Sequence, residues 1–250
     1  MLGFSAPNAD ADGRPVLAGY LSYLAHHPAT AKRLCRRLAV RFVSDTPSQD
    51  LVESLAQVYL DSDTDIVPVL RALVESDEFL GSVMRKVRTP VEDAVATWAA
   101  VRVDVAQPHD PQDAANQLIN IGKAIGQVVY DWPAPNGFPD VAAAWSDAGR
   151  LLGSMRAHWG AASGFWPDQG VSFPTPVEWM PRLPTTFDNV VDYVVRRLLY
   201  VECTPRMLSA ACVATGIGPT EVIDDGHALL EYKLPRLLVS LLDTPEHLSR

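Results

Sequence analysis

Helix punctuation limits this chain more than any other feature. Thr46-Pro47-Ser48-Gln49 and Thr89-Pro90-Val91-Glu92 read as capping boxes with proline at the first helical position. In each, the threonine hydroxyl accepts the amide three residues on, and the Gln or Glu reaches back to the threonine amide. Asp110-Pro111, Thr204-Pro205, Thr244-Pro245 and His27-Pro28 repeat the cap-then-proline order. Six such starts, with no alternating Val, Ile or Thr runs between turns, predict an all-α fold, an irregular multi-helix bundle.

Periodicity places the helices. Over 28–42, Ala31, Leu34, Cys35, Leu38, Ala39 and Phe42 fall on one side, and Lys32, Arg33, Arg36, Arg37 and Arg41 on the other. Further helices are expected at 16–26, 48–60, 66–75, 91–101, 111–129, 146–161, 187–201, 205–214 and 221–242, with a last turn at Pro245. The span 130–184 breaks this rhythm. It holds eight of the twenty prolines and five of the six tryptophans, Trp132, Trp145, Trp159, Trp166 and Trp179. Internal prolines forbid continuous helix, and tryptophans at this density want burial. The expectation is a single helical domain: a lobe at 12–129, a packed Trp/Pro-rich excursion at 130–184, and C-terminal helices at 186–250. Arg36-Arg37-Leu38 before Thr46-Pro47 echoes Arg196-Arg197-Leu198 before Thr204-Pro205, which suggests an old duplication.

A chain of 250 residues has room for a full core without a disulfide or metal staple. With 48% apolar and 20% charged residues it is not disordered, and a net charge of −9 argues against nucleic acid as a partner. The longest charge-free stretch, 207–220, contains two glycines and a proline, which excludes a membrane span there. Cys35, Cys203 and Cys212 form no paired spacing, and Cys35 and Cys212 read as small core residues.

Several stretches resemble bacterial domain-of-unknown-function family 1800. They are His27-Pro28-Ala29-Thr30-Ala31 with Arg37-Leu38-Ala39-Val40-Arg41-Phe42-Val43, Val69-Leu70-Arg71-Ala72-Leu73 with Ser76-Asp77-Glu78-Phe79, and Lys86 with Thr89-Pro90-Val91-Glu92. Gly126-Gln127, Trp132-Pro133, Asn136-Gly137-Phe138-Pro139-Asp140, and Leu241-Leu242 with Pro245-Glu246 continue the likeness. The resemblance carries no reaction, cofactor or catalytic residue. It implies that the chain corresponds to the C-terminal half of longer relatives, whose upstream helical half often follows an export signal. As it stands the chain carries no signal peptide and reads as cytoplasmic; with such a half upstream it would be exported.

No catalytic motif stands out. Asp61-Ser62-Asp63-Thr64-Asp65 opens like a calcium loop, but Ile66 replaces the required glycine and Ala72 the bidentate glutamate, so helix capping explains it better. Adjacent His26 and His27 diverge on a helix, no paired-histidine spacing appears, and Asp224-Asp225-Gly226-His227 reads as a turn. Neither a metal nor another cofactor is expected. Gly122 and Gly126, four apart, read as a close helix approach rather than a phosphate loop. Two surfaces are candidates. The basic face Lys32, Arg33, Arg36, Arg37 and Arg41 could meet an anion or an acidic partner, although internal pairing is the plainer reading. Trp132, Trp145, Trp166 and Trp179, with Asp140, could form a stacking surface for a ligand, although anchoring the excursion is the plainer reading. The leading expectation is a binding or assembly module whose partner is an upstream helical half or another protein. The alternatives are a hydrolase of an extracellular polymer and a carbohydrate-binding surface without catalysis.

Overall fold

The computed structural model describes residues 3–7, 9–107, 109–110 and 113–250. Twelve α-helices and four two-residue strands lie among these residues, so the fold is predominantly α. The chain divides into two compact units, 1–86 and 87–250.

The first unit holds α1 (Arg14–Ala25), α2 (Pro28–Phe42), α3 (Gln49–Asp61), α4 (Ile66–Val74) and α5 (Asp77–Leu80). Ala31, Cys35 and Ala39 recur every four residues on α2 and are buried. Their small side chains let α3 pack closely, bringing in Val52, Leu55, Ala56 and Tyr59. The His27 expectation holds, since its Nδ1 accepts the Ala29 amide at 3.1 Å. The Thr46 expectation does not. Ser48 caps α3, accepting the Leu51 amide at 3.0 Å, and the Ser48 amide is taken by Glu78 of α5 at 3.2 Å. A carboxylate from another helix thus plays the part that Gln49 would play in a local box.

The second unit holds α6 (Pro90–Ala100), α7 (Ala114–Ala124), α8 (Ala148–Ala162), α9 (Phe187–Leu199), α10 (Pro205–Thr215), α11 (Leu234–Leu242) and α12 (Pro245–Leu248). Strand β1 (Asp104–Val105) pairs antiparallel with β2 (Val171–Ser172), and β3 (Thr185–Thr186) with β4 (Val222–Ile223). Phe187, Val190, Val191, Val194, Val195 and Leu198 of α9 meet Leu237, Leu238, Leu241 and Leu242 of α11 in the core. The boxes at Thr89 and the cap at Thr204 form as expected. Helix α7 has Asp113 as its N-cap residue; the expected start at Pro111 lies outside the described residues. Its end at Ala124 is earlier than expected, since Gly126 takes a φ of +107° that leaves the helix.

The helix expected over 221–242 is three things instead. Val222–Ile223 is strand, a turn at Asp224–Gly226 follows, and Leu229–Lys233 is a π turn leading into α11. Pro235 has no amide for the carbonyl four residues back, and the backbone widens just before it. Within 130–184 lie α8, two 3-10 turns (Ala142–Ala144 and Pro176–Trp179) and β2, the rest being irregular.

Candidate functional site

Two polar stripes meet inside the second unit. On α6, Asp93 and Thr97 lie one turn apart on the same buried face as Ala94 and Trp98. On α8, Arg150, Ser154 and His158 repeat every four residues and are all buried. Residues at that spacing stack along one helix face, so packing α6 against α8 sets the two stripes together. Asp243, at the end of α11, and His247 of α12 complete the group.

Asp93 is its centre. Its Oδ2 accepts the Ser154 hydroxyl at 2.5 Å and an Arg150 guanidinium N–H at 3.3 Å. Its Oδ1 lies 3.1 Å from His158 Nε2 and 3.7 Å from His247 Nε2. His158 Nδ1 lies 2.7 Å from Asp243 Oδ1. Because both neighbours of His158 are carboxylate acceptors, both ring nitrogens donate and the imidazole is a cation. Arg150 also donates to the Arg88 carbonyl at 3.0 Å, and Arg88 Nε donates to the His247 carbonyl at 2.7 Å, fixing the C-terminal turn. Thr97 Oγ1 sits 2.9 Å from His247 Nε2, and the two imidazoles meet edge to face at 5.3 Å.

Burial and charge compete at each group. For Asp93, burial alone would raise the carboxyl, but His158, Ser154 and Arg150 together outweigh it and hold it below the usual range. For His158, burial opposes the cation, and the bonds to Asp243 and Asp93 prevail, so its pKa is raised. At His247 the Asp93 charge pulls the same way but is outweighed. Burial first, then the His158 charge, push it down to about 3, leaving it neutral. Asp93 and Asp243 thus face Arg150 and His158 inside the group, with the Arg88 charge beside it. Asp93, His158 and His247 each bring one metal-capable donor atom within 4.8 Å of the others.

The structure places the residues singled out from sequence elsewhere. Trp145 is buried, donating from Nε1 to the Pro139 carbonyl at 2.8 Å, and Trp132 leans on Phe138, centroids 4.9 Å apart, which in turn touches Trp145. Trp179 is buried under the Arg197 guanidinium, and Trp166 is half-buried against the core. Asp140 faces Arg250 at 3.4 Å. The four rings do not share one open face. On the basic face, Lys32 pairs with Glu53 at 2.9 Å and Arg36 donates to Gln49 at 2.8 Å; Arg33 and Arg37 are exposed and Arg41 is half-buried. Asp65 caps α4 through the Val67 amide at 2.9 Å, while Asp63 accepts His26 Nε2 at 2.7 Å. His227 Nδ1 accepts the Leu229 amide at 3.0 Å, and its Nε2 lies 3.0 Å from Glu221. The cysteines are unpaired, and burial pushes the Cys35 thiol up to about 11, an inert value.

Sequence reasoning missed the cluster because its members come from four helices and their margins, with no local motif. One signal was legible: Arg150, Ser154 and His158 repeat at helical spacing on the side that carries Ala161 and Ala162 into the core.

Two helical units, one of them built around a buried ionic group at a helix crossing, define a predominantly α-helical module. The chain belongs to the family described as Protein of unknown function (DUF1800), whose model matches residues 1–248. No curated protein and no solved structure matches it. No helix among the described residues is long and apolar enough to cross a membrane.

Proposed function

We propose that the chain is a helical binding and assembly module that docks an apolar surface of another protein on its α4–α5 face. One observation carries the reading. Helix α4 buries Val69 and Leu73 and, along with the exposed Arg71, leaves Val67, Leu70 and Val74 57%, 37% and 45% exposed. Leu80 and Val83 extend the patch just beyond it in sequence and are also exposed. Several large apolar side chains left exposed on one short stretch of surface mark an interaction site.

The rest of the molecule is consistent with binding rather than catalysis. Asp93 and His158 are each 1% exposed, so a substrate reaches them only if the unit opens. The cleft of about 260 Å³ lined by Phe173, Trp179 and Tyr232 brings a single carboxylate, Glu231, where the usual hydrolysis of a glycosidic polymer uses a pair. A photocrosslinking side chain placed at Leu70 tests the reading in cells that make the protein. A discrete adduct heavier than the chain, absent from the same probe at Gln57 and lost in Val74→Glu, is expected. No adduct at Leu70 above the Gln57 background overturns it.

A further inference from the structure

We propose that Asp93, His158 and His247 bind one divalent transition-metal ion of the zinc class, which staples α6 and α8 to the C-terminal turn. Ligand atoms at zinc distances, about 2.0–2.1 Å, stand about 3.3 Å from one another around a tetrahedral ion. Asp93 Oδ1 lies 3.1 Å from His158 Nε2 and 3.7 Å from His247 Nε2, spacings that bracket that edge. The outer groups are already in position. Asp243 holds His158 Nδ1 at 2.7 Å and so aims Nε2 at Asp93, the carboxylate–histidine arrangement that orients metal-binding imidazoles. Ser154 and Arg150 take Asp93 Oδ2, which leaves Oδ1 to the ion.

Two imidazoles with one carboxylate suit zinc and its first-row neighbours, whereas calcium and magnesium prefer all-oxygen sites. On binding, the ion replaces the proton on His158 Nε2 and takes the His247 Nε2 lone pair now facing Thr97, whose hydroxyl is free to rotate. The Asp93 and Asp243 carboxylates offset its charge. A cleft of about 240 Å³ is lined by Arg88, Glu246 and His247, so one ligand residue borders a route from the surface. The site is remote in sequence from the α4–α5 face and stands or falls independently of it.

The test uses the full chain stripped with chelator and titrated with zinc chloride by calorimetry and with cobalt by visible absorption. One ion per chain, cobalt bands of a nitrogen–oxygen site and a raised melting temperature are expected. Asp243→Asn, which removes an orienting group and no ligand, is expected to weaken zinc about 10–100-fold with unchanged circular dichroism. His247→Ala abolishes binding, and Asp61→Asn at the exposed end of α3 leaves it intact. A folded wild-type chain that binds no zinc overturns the site, as does zinc binding unchanged in both Asp243→Asn and His247→Ala.

Discussion

Replacing Asp93 by asparagine keeps the side-chain shape and removes one buried charge. The amide must then point its NH2 either at the Ser154 hydroxyl and Arg150 or at His158, so a donor faces a donor whichever way it turns. With the NH2 turned toward His158, Arg150 keeps the Arg88 carbonyl at 3.0 Å and a neutral amide oxygen in place of the carboxylate. Breaking one side of a buried ion pair costs about 3–5 kcal/mol. His158 relieves part of this by shedding its proton and accepting from the new amide, which sets the expectation at the lower end, about 3 kcal/mol. In a unit of this size each kcal/mol moves the melting temperature by about 2–4 °C, so the fall is about 6–12 °C. Asp192→Asn supplies the contrast: its partner Arg196 is also close, at 2.9 Å, but both are exposed on α9. Such a pair is worth about 0.3–0.5 kcal/mol, a shift of about 1–2 °C. Thermal unfolding at neutral pH with chelator present compares the two. If Asp93→Asn falls no further than Asp192→Asn, the buried charge balance is not what holds α6 to α8.

Two other outcomes follow from local geometry. The Asp63 carboxylate, then the Ser22 carbonyl, raise the pKa of His26, so its charged form is favoured in the fold. That stabilisation is complete below the ordinary imidazole pKa and disappears as pH rises through the higher folded value. An NMR titration is expected to find His26 above its ordinary value and Asp63→Asn to move it back toward that value, the Ser22 carbonyl remaining; an unshifted wild-type His26 refutes the pairing. Gly122→Ala would bring a methyl to 2.9 Å from Val91 Cγ2 and 3.1 Å from the Gln127 carbonyl. Overpacking of this kind costs about 1–3 kcal/mol, read as a lowered urea midpoint at constant slope. A midpoint unchanged from wild type would show that α6 and α7 yield freely.

Gly122 and Gly126 illustrate how far the sequence could be read. Their spacing reads as one device, a close helix approach. The structure separates them: Gly122 meets α6, whereas a Cβ at Gly126 would meet nothing, and that glycine is there for its positive φ. Caps behaved the same way. Thr89 and Glu92 close their box within four residues, so local sequence suffices. At Ser48 the partner is Glu78, which no local pattern announces.

What the sequence determined alone was the α-helical architecture and most helix starts, because capping and amphipathic period are set by groups within one or two turns of each other. It also fixed that Arg150, Ser154 and His158 share a face. What only the tertiary structure decided was the meaning of that face. Asp93, Asp243 and His247 reach it from other helices, and their charge states exist only once packing excludes water and makes each depend on the rest. Electrostatic coupling through a dry interior is a property of positions in space, and neighbours along the chain do not encode it.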